Sequence, residues 1–310
     1  MPKLKKTVHL IPISGKDSLC TALVQRKRAP NLDYRYLFCD VGMELPETYE
    51  WLDRVEKKFG FDIERIGKSL EGLMAHKHGL PSFTSRFCTR SGKIEPIMEY
   101  IRDIDADDVI QYIGFRSDEK DRLPPPQSRA DTGRTVYPLI EEGVDISGVY
   151  KMLDDHNVLP PSFFWKRLYD EVWESVGPSS RTFIESVPPW VMSGLFSWRS
   201  RSNCFMCFYQ ALYEWVGLLE HHPDLFEKSE EIERVYGDGR SEFWQAMSQR
   251  PKNTVFTLNP SLSLPEIRRQ KDRIFSKRVE ATRKAVIEAR TSTDKLDLLS
   301  FRSCGAYCGK

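Results

Sequence analysis

The sequence predicts an α/β protein, a parallel sheet with helices on both faces followed by a helical C-terminal region. Three observations carry that class. Strand-like apolar runs alternate with helix-like runs through the first half, beginning "TVHLIPI", "DSLCTALVQRKR", "YRYLFCDVG". A small, hydroxyl-rich pentapeptide, Ser14-Gly15-Lys16-Asp17-Ser18, interrupts the first strand-to-helix passage. From roughly residue 160 the chain becomes rich in Trp, Phe and helix formers, with prolines at "SVPPW" and "HHPDLF". The expected division is therefore 1–155, an α/β domain, and 156–310, a helical domain that carries cysteines.

Each element follows from its pattern. "LPETYEWLDRVEKKFG" has apolar residues at helical spacing, "DIERIG" is a short third strand, "SGKIEPIMEYIRDI" a helix and "DVIQYIGFR" a fourth strand. Residues 117–136, "SDEKDRLPPPQSRADTGRTV", are polar and proline-rich and read as a loop, mobile over the site. Ligands of such sheets bind at the carboxyl ends of the strands, near the topological switch point.

Bulk composition sets the class. The 310 residues are 40% hydrophobic and 29% charged, ordinary values for a globular chain. No apolar run reaches the roughly 18 residues a membrane span needs. The basic start "MPKLKKTVHLIPI" lacks a small-residue cleavage site and reads as a first strand, so cytoplasmic residence is expected. A net charge of +1 gives no global footprint for nucleic acid. The local exception is Arg268–Arg290, rich in Arg and Lys, which is either a solvated helix face or a contact surface for DNA phosphates.

Seven cysteines in a cytoplasmic chain argue against structural disulfides. Cys20 and Cys39 lie in apolar contexts and are expected in the core. Cys88, Cys204, Cys207, Cys304 and Cys308 lie among Gly, Arg, Ser and aromatic residues. Cys204-Phe-Met-Cys207 suits zinc, a redox pair or half of an iron–sulfur site, because thiolates bind all of these.

The pentapeptide exposes backbone N–H groups at a helix start, where the dipole also favours an anion. Ser14 and Ser18 add hydroxyls, Gly15 permits close approach, Lys16 brings a positive charge, and Asp17 is a first-turn acid. The Walker loop G-x-x-x-x-G-K-S/T is absent. An ordinary strand-to-helix turn with a capping serine is the plainer alternative.

"ISGKDS" resembles the PP-loop S-G-G-K-D-S of ATP pyrophosphatases. "FCDVGMELPETYEWLDRV", "RFCTRSGKIEPI", "YIGFRSDEKDR" and "NCFMCFYQALYEW" resemble, in order, further segments of the phosphoadenosine phosphosulfate (PAPS) reductase family and of its iron–sulfur branch. Together these segments lie between residues 8 and 232. The resemblance implies a PP-loop, HUP-like fold. It implies that Ser14, Gly15, Lys16, Asp17 and Ser18 hold nucleotide phosphates, with Lys16 and Asp17 catalytic. Asp40 and Gly42 would lie beside adenosine, and Gly114, Arg116 and Arg122 would complete an anion pocket. For Arg116 the alternative is a surface ion pair with Asp118 or Glu119.

For the thiols the resemblance implies a 4Fe–4S cluster, with zinc as the alternative. Cluster-bearing reductases have a tandem Cys-Cys where this chain has Cys88-Thr89. Cys88, Cys204 and Cys207 are then completed by Cys308 or Cys304 from the tail. "SCGAYCGK" shares only Cys-Gly with the reductases' C-terminal "E-C-G-L-H", and Cys304 is its candidate nucleophile.

Three functions follow as expectations. The first is an ATP pyrophosphatase that adenylates a substrate for sulfur transfer, as in bacterial DNA phosphorothioation, using ATP and Mg²⁺ with cysteine desulfurase as a sulfur donor. The second is a reductase releasing sulfite from PAPS or adenosine phosphosulfate, and the third a nucleotide-binding partner without chemistry. A homo-oligomer is expected, and no membrane partner.

Overall fold

The structure is a computed structural model that describes residues 6–77, 79–123, 134–202, 204–238, 255–257 and 262–291. The chain divides into two compact units. One is drawn from residues up to Leu73 and from Phe87–Pro161, the other from Met74–Arg86 and from Ser162 onward.

The first unit is built on five parallel strands, β1 (Thr7–Pro12), β2 (Tyr34–Cys39), β3 (Ile63–Ile66), β4 (Asp108–Tyr112) and β5 (Arg134–Val136). They lie in the order β3-β2-β1-β4-β5, with His9 opposite Tyr34 on one side and Ile110 on the other. Strand β1 is central because both its faces are apolar. Ile11 joins one core cluster with Phe38 and Trp51, whereas Val8 and Leu10 join a second with Leu37 and Val109. That two-residue alternation is the signature of a sheet covered on both sides.

Helices α1 (Lys16–Arg28) and α2 (Pro46–Phe59) cover the first face together with α7 (Ile146–Asp155), which follows the short α6 (Pro138–Glu141). Trp51 of α2 is buried and its indole N–H reaches Val158 O at 3.1 Å, fixing the chain beyond α7. Burial of a side chain of that size contributes about 3 kcal/mol. Cys20 and Cys39 are buried, and burial raises both thiol pKa values, that of Cys39 to about 11.

Between β3 and β4 run α3 (Leu70–Lys77), α4 (Phe87–Thr89), a π turn at Arg90–Ile94 and α5 (Glu95–Asp103). The helix expected to begin at Ser91 thus begins at Phe87, and α3 has no counterpart in the sequence reading. Pro96 explains the π turn. Lacking an N–H, it cannot donate to Gly92 O; that carbonyl accepts Lys68 N–H at 3.3 Å, and Glu95 N–H reaches back to Arg90 O. The stretch 117–136, expected as loop, opens with a 3-10 turn at Ser117–Arg122 and closes with β5. Three residues are too few for β5 to show a period. Residues 124–133 of that expected loop lie outside the described residues.

The second unit is helical: α8 (Lys166–Ser175), α9 (Pro178–Ser186), α10 (Pro189–Leu195), α11 (Leu212–His221), α12 (Pro223–Gly237), α13 (Leu264–Arg269) and α14 (Lys271–Thr291). The prolines that punctuate the sequence start α9, α10 and α12, where a missing N–H costs nothing. Trp165 donates to Glu220 at 2.8 Å and meets Phe275 edge-on at 4.9 Å. Gly217 lets α11 close on Trp198, since a Cβ there would lie 2.5 Å from the Trp198 Cβ. No helix among the described residues is long and apolar enough to cross a membrane.

Candidate functional site

The strand order fixes where a ligand belongs. From β1 the chain moves outward through β2 and β3, then returns to the other side of β1 for β4 and β5. The switch point therefore lies between the carboxyl ends of β1 and β4, where adjacent connections diverge and leave a crevice. Ser14–Ser18 leave β1 and Gly114–Glu119 leave β4 at that place.

Helix α1 starts at Lys16, so the amides of Lys16, Asp17 and Ser18 have no acceptor within the helix. The Ser18 hydroxyl accepts Ser14 N–H at 2.9 Å and Gly15 N–H at 3.2 Å while donating to Gly15 O at 2.9 Å. The loop is thus wound around one side-chain oxygen, with its amides pointing inward. Gly114 seats it: a Cβ at that position would lie 2.8 Å from both the Asp17 carbonyl carbon and the Ser18 nitrogen. Only a residue without a side chain lets β4 exit against α1.

Charge at the loop is nearly cancelled. Lys16 Nζ lies 2.7 Å from Asp17 Oδ2, and Arg116 Nη1 reaches the same oxygen at 3.2 Å. Arg116 also pairs with Asp118 at 2.9 Å and Glu119 at 3.3 Å. Burial works against the guanidinium's charge, but Asp118, Asp17 and Glu119 outweigh it and hold its pKa above the usual value. Both sequence readings of Arg116 meet in this geometry: the local ion pairs exist, and the same side chain reaches the loop. Asp17 Oδ1 is buried and has no hydrogen-bond partner among the described residues.

Asp40 and Gly42 follow β2. Asp40 Oδ1 accepts Gly42 N–H at 2.7 Å and the Tyr49 hydroxyl at 2.8 Å. Burial and the bond to Asp40 raise the Tyr49 pKa. Tyr49 was missed in the sequence, although its place in the first turn of α2, nine residues after Asp40, was a usable signal. Also missed were Lys93, 3.4 Å from the buried Glu44 carboxylate, and Lys68, 2.7 Å from Glu99. The Arg122 side chain lies outside the described residues, as do Cys304 and Cys308.

The remaining thiols are divided. Cys88 is half-buried in α4 of the first unit, its Sγ 4.0 Å from Thr89 Oγ1. Cys204 and Cys207 sit in the second unit on a turn in which Cys207 N–H donates to Cys204 O at 3.1 Å and Gln210 N–H to Cys207 O at 3.0 Å. Arg199, fully buried, ties that turn by donating to Cys204 O at 2.7 Å and Gln210 Oε1 at 3.2 Å. The turn offers two sulfur donors, half of what a cubane cluster needs. Among the described residues no three His, Cys, Asp or Glu side chains are grouped to hold a metal ion.

Comparison with known proteins matches residues 9–182 to the phosphoadenosine phosphosulfate reductase domain. The chain belongs to that family. PAPS reductase-family proteins are adenine-nucleotide-using enzymes, and Ser14–Glu119 lie inside the matched span, whereas Cys204 and Cys207 fall beyond it. Two curated relatives come from Methanocaldococcus jannaschii. Uncharacterized protein MJ0066 is 26% identical over 240 residues, 76% of this chain and 43% of that protein. Uncharacterized protein MJ0973 is 24% identical over 249 residues, 77% and 51% respectively. The chain thus spans about half the length of the curated relatives it matches.

Among solved structures, PAPS reductase from Candida auris in its phosphate complex is 18% identical, with a TM-score of 0.37 over 49% of this chain and 74% of that one. A predicted subunit of tRNA methyltransferase from Methanocaldococcus jannaschii is also 18% identical, with a TM-score of 0.32 over 52% and 76%.

Proposed function

We propose that the chain is an ATP pyrophosphatase of the PAPS reductase family that activates a substrate oxygen for sulfur transfer. The observation that carries this reading is the loop Ser14–Ser18 at the switch point, with amides at the start of α1 that have no acceptor within the helix and Lys16 beside them. The substrate oxygen attacks the α-phosphorus of ATP, the bond to the β-phosphate oxygen breaks, and pyrophosphate leaves. A sulfur nucleophile then displaces AMP from the adenylate. The loop amides and Lys16 hold the departing phosphates, while Asp17 keeps Lys16 and Arg116 in place. Mg²⁺ arriving with ATP would offset the charge that builds on pyrophosphate.

Within this reading Cys204 and Cys207 are two ligands of a 4Fe–4S cluster or a zinc ion, completed by Cys88 and by Cys308 or Cys304. The cluster would supply a site to carry sulfur or an electron. A cysteine desulfurase is the matching donor, DNA phosphate the acceptor we favour, and a homo-oligomer the working assembly. The family's own description favours a second reading, reduction of PAPS or adenosine phosphosulfate to sulfite with Cys304 as nucleophile.

The test is product analysis on anaerobically prepared protein. ATP yielding AMP and pyrophosphate, abolished in Lys16→Ala, supports the first reading. Sulfite released from a sulfonucleotide replaces it with the second. Nucleotide binding without turnover of either leaves a non-catalytic binder.

A further inference from the structure

The basic stretch at the C-terminal side of the second unit answers its cations unevenly. Toward its end, Arg283 pairs with Glu280 at 2.7 Å and Lys284 with Glu288 at 3.7 Å. Nearer its start it forms the floor of a groove of about 590 Å³, where Arg273, Ile274, Lys277 and Arg278 recur at helical spacing. The walls come from Leu212 and Tyr213 at the start of α11 and from Leu262. Among the described residues, three cations line the groove and no carboxylate does. Arg273 and Lys277 are exposed and form no ion pair among the described residues. Arg278 is buried, its guanidinium carbon 4.1 Å from the centre of the Tyr213 ring.

We infer that this groove binds the phosphodiester backbone of a single-stranded nucleic acid. Arg273 and Lys277, without ion pairs among the described residues and set at a concave surface, select a polyanion, and their separation by one helical turn suits successive phosphates of an extended strand. The apolar Leu212, Leu262 and Ile274 beside the Tyr213 ring give sugars and bases a surface to lie on. A duplex does not fit this shape. A helix reads a duplex by protruding into the major groove, whereas this face of α14 is recessed between walls. The inference stands apart from the adenylation chemistry, because strand binding requires no turnover of ATP.

The test is fluorescence anisotropy of the full chain with a labelled single-stranded oligonucleotide of about 12 residues. The same sequence as a duplex, and ATP as competitor, complete the set. Arg273→Ala/Lys277→Ala should weaken strand binding about tenfold at moderate salt and lower the slope of log K against log salt by about 1.4. Arg283→Ala, which pairs with Glu280 and does not line the groove, should stay within about twofold, and an unchanged melting temperature shows that the double variant is folded. Absence of strand binding by the wild type, preference for the duplex, or equal loss in Arg283→Ala overturns the inference. Displacement of the strand by ATP would reassign it to the nucleotide loop and overturns it equally.

Discussion

Two cationic places in this molecule handle charge in opposite ways. At the end of β1, Lys16 and Arg116 are answered by Asp17, Asp118 and Glu119, so the loop carries no positive excess. In the groove of α14, Arg273 and Lys277 meet no carboxylate among the described lining residues. On the proposed reading, the first arrangement selects by shape: amides and a close backbone approach would recognise a phosphate group, and salt should matter little. The second would select by net charge, and its affinity should fall steeply with salt. A basic composition is therefore not what the proposed nucleotide site rests on.

The largest effect should come from breaking the shape. In Gly114→Val the new side chain meets the backbone of Asp17 and Ser18, where a Cβ alone would lie 2.8 Å from either. Backbone cannot swing aside as a flexible side chain does, so the loop must shift. ATP binding by calorimetry should be lost and the unfolding free energy should drop by about 1–3 kcal/mol. Strand binding in the groove should survive. Retention of ATP affinity within twofold would show that the seat of the loop is not what recognises phosphate.

The contrast extends to carboxylates. The half-buried Asp17 is held by cations, whereas the buried Glu233 of α12 accepts, among the described residues, Phe256 N–H at 2.9 Å and Leu264 N–H at 2.7 Å. Burial raises the Glu233 pKa to about 7, with the two amide bonds opposing the rise. The folded state therefore binds this proton more tightly than the unfolded state does. Its contribution is complete below the unfolded pKa near 4.5 and is lost as pH rises to about 7, a change of about 3 kcal/mol at most. Denaturation across that window should show stability falling with pH, and Glu233→Gln should flatten the slope. A rising slope that Gln leaves intact would mean that the amides dominate.

The sheet was legible because β1 and β2 are apolar on alternating faces, a pattern that only a covered parallel sheet needs. The places of Ser14–Ser18 and Gly114, just past the ends of β1 and β4, were legible from the strand pattern and the family resemblance. What escaped depended on distance in the chain. Tyr49 reaches Asp40 across nine residues, Lys93 reaches Glu44 across 49, and Arg116 reaches Asp17 across 99. No local period encodes such pairs. The Arg268–Arg290 segment looked uniform in sequence, and telling its paired cations from those that line a groove needed α11 beside it.

The smallest predicted effect is the most discriminating. The Ser18 hydroxyl bonds the amides of Ser14 and Gly15 from inside the loop, the place that the proposed reading gives to a phosphate oxygen. Removing it in Ser18→Ala leaves those amides to water and loses a helix-start bond worth about 1 kcal/mol. When ATP binds, however, the same two amides are free to receive it without first releasing the hydroxyl. The lost donor and the vacated amides should nearly offset each other. Stability of the unliganded protein should fall while ATP affinity changes by less than about fivefold, a thermodynamic difference of about 1 kcal/mol. A fall in affinity beyond about tenfold would mean that Ser18 grips the phosphate directly, and that its bonds to Ser14 and Gly15 persist when nucleotide is bound.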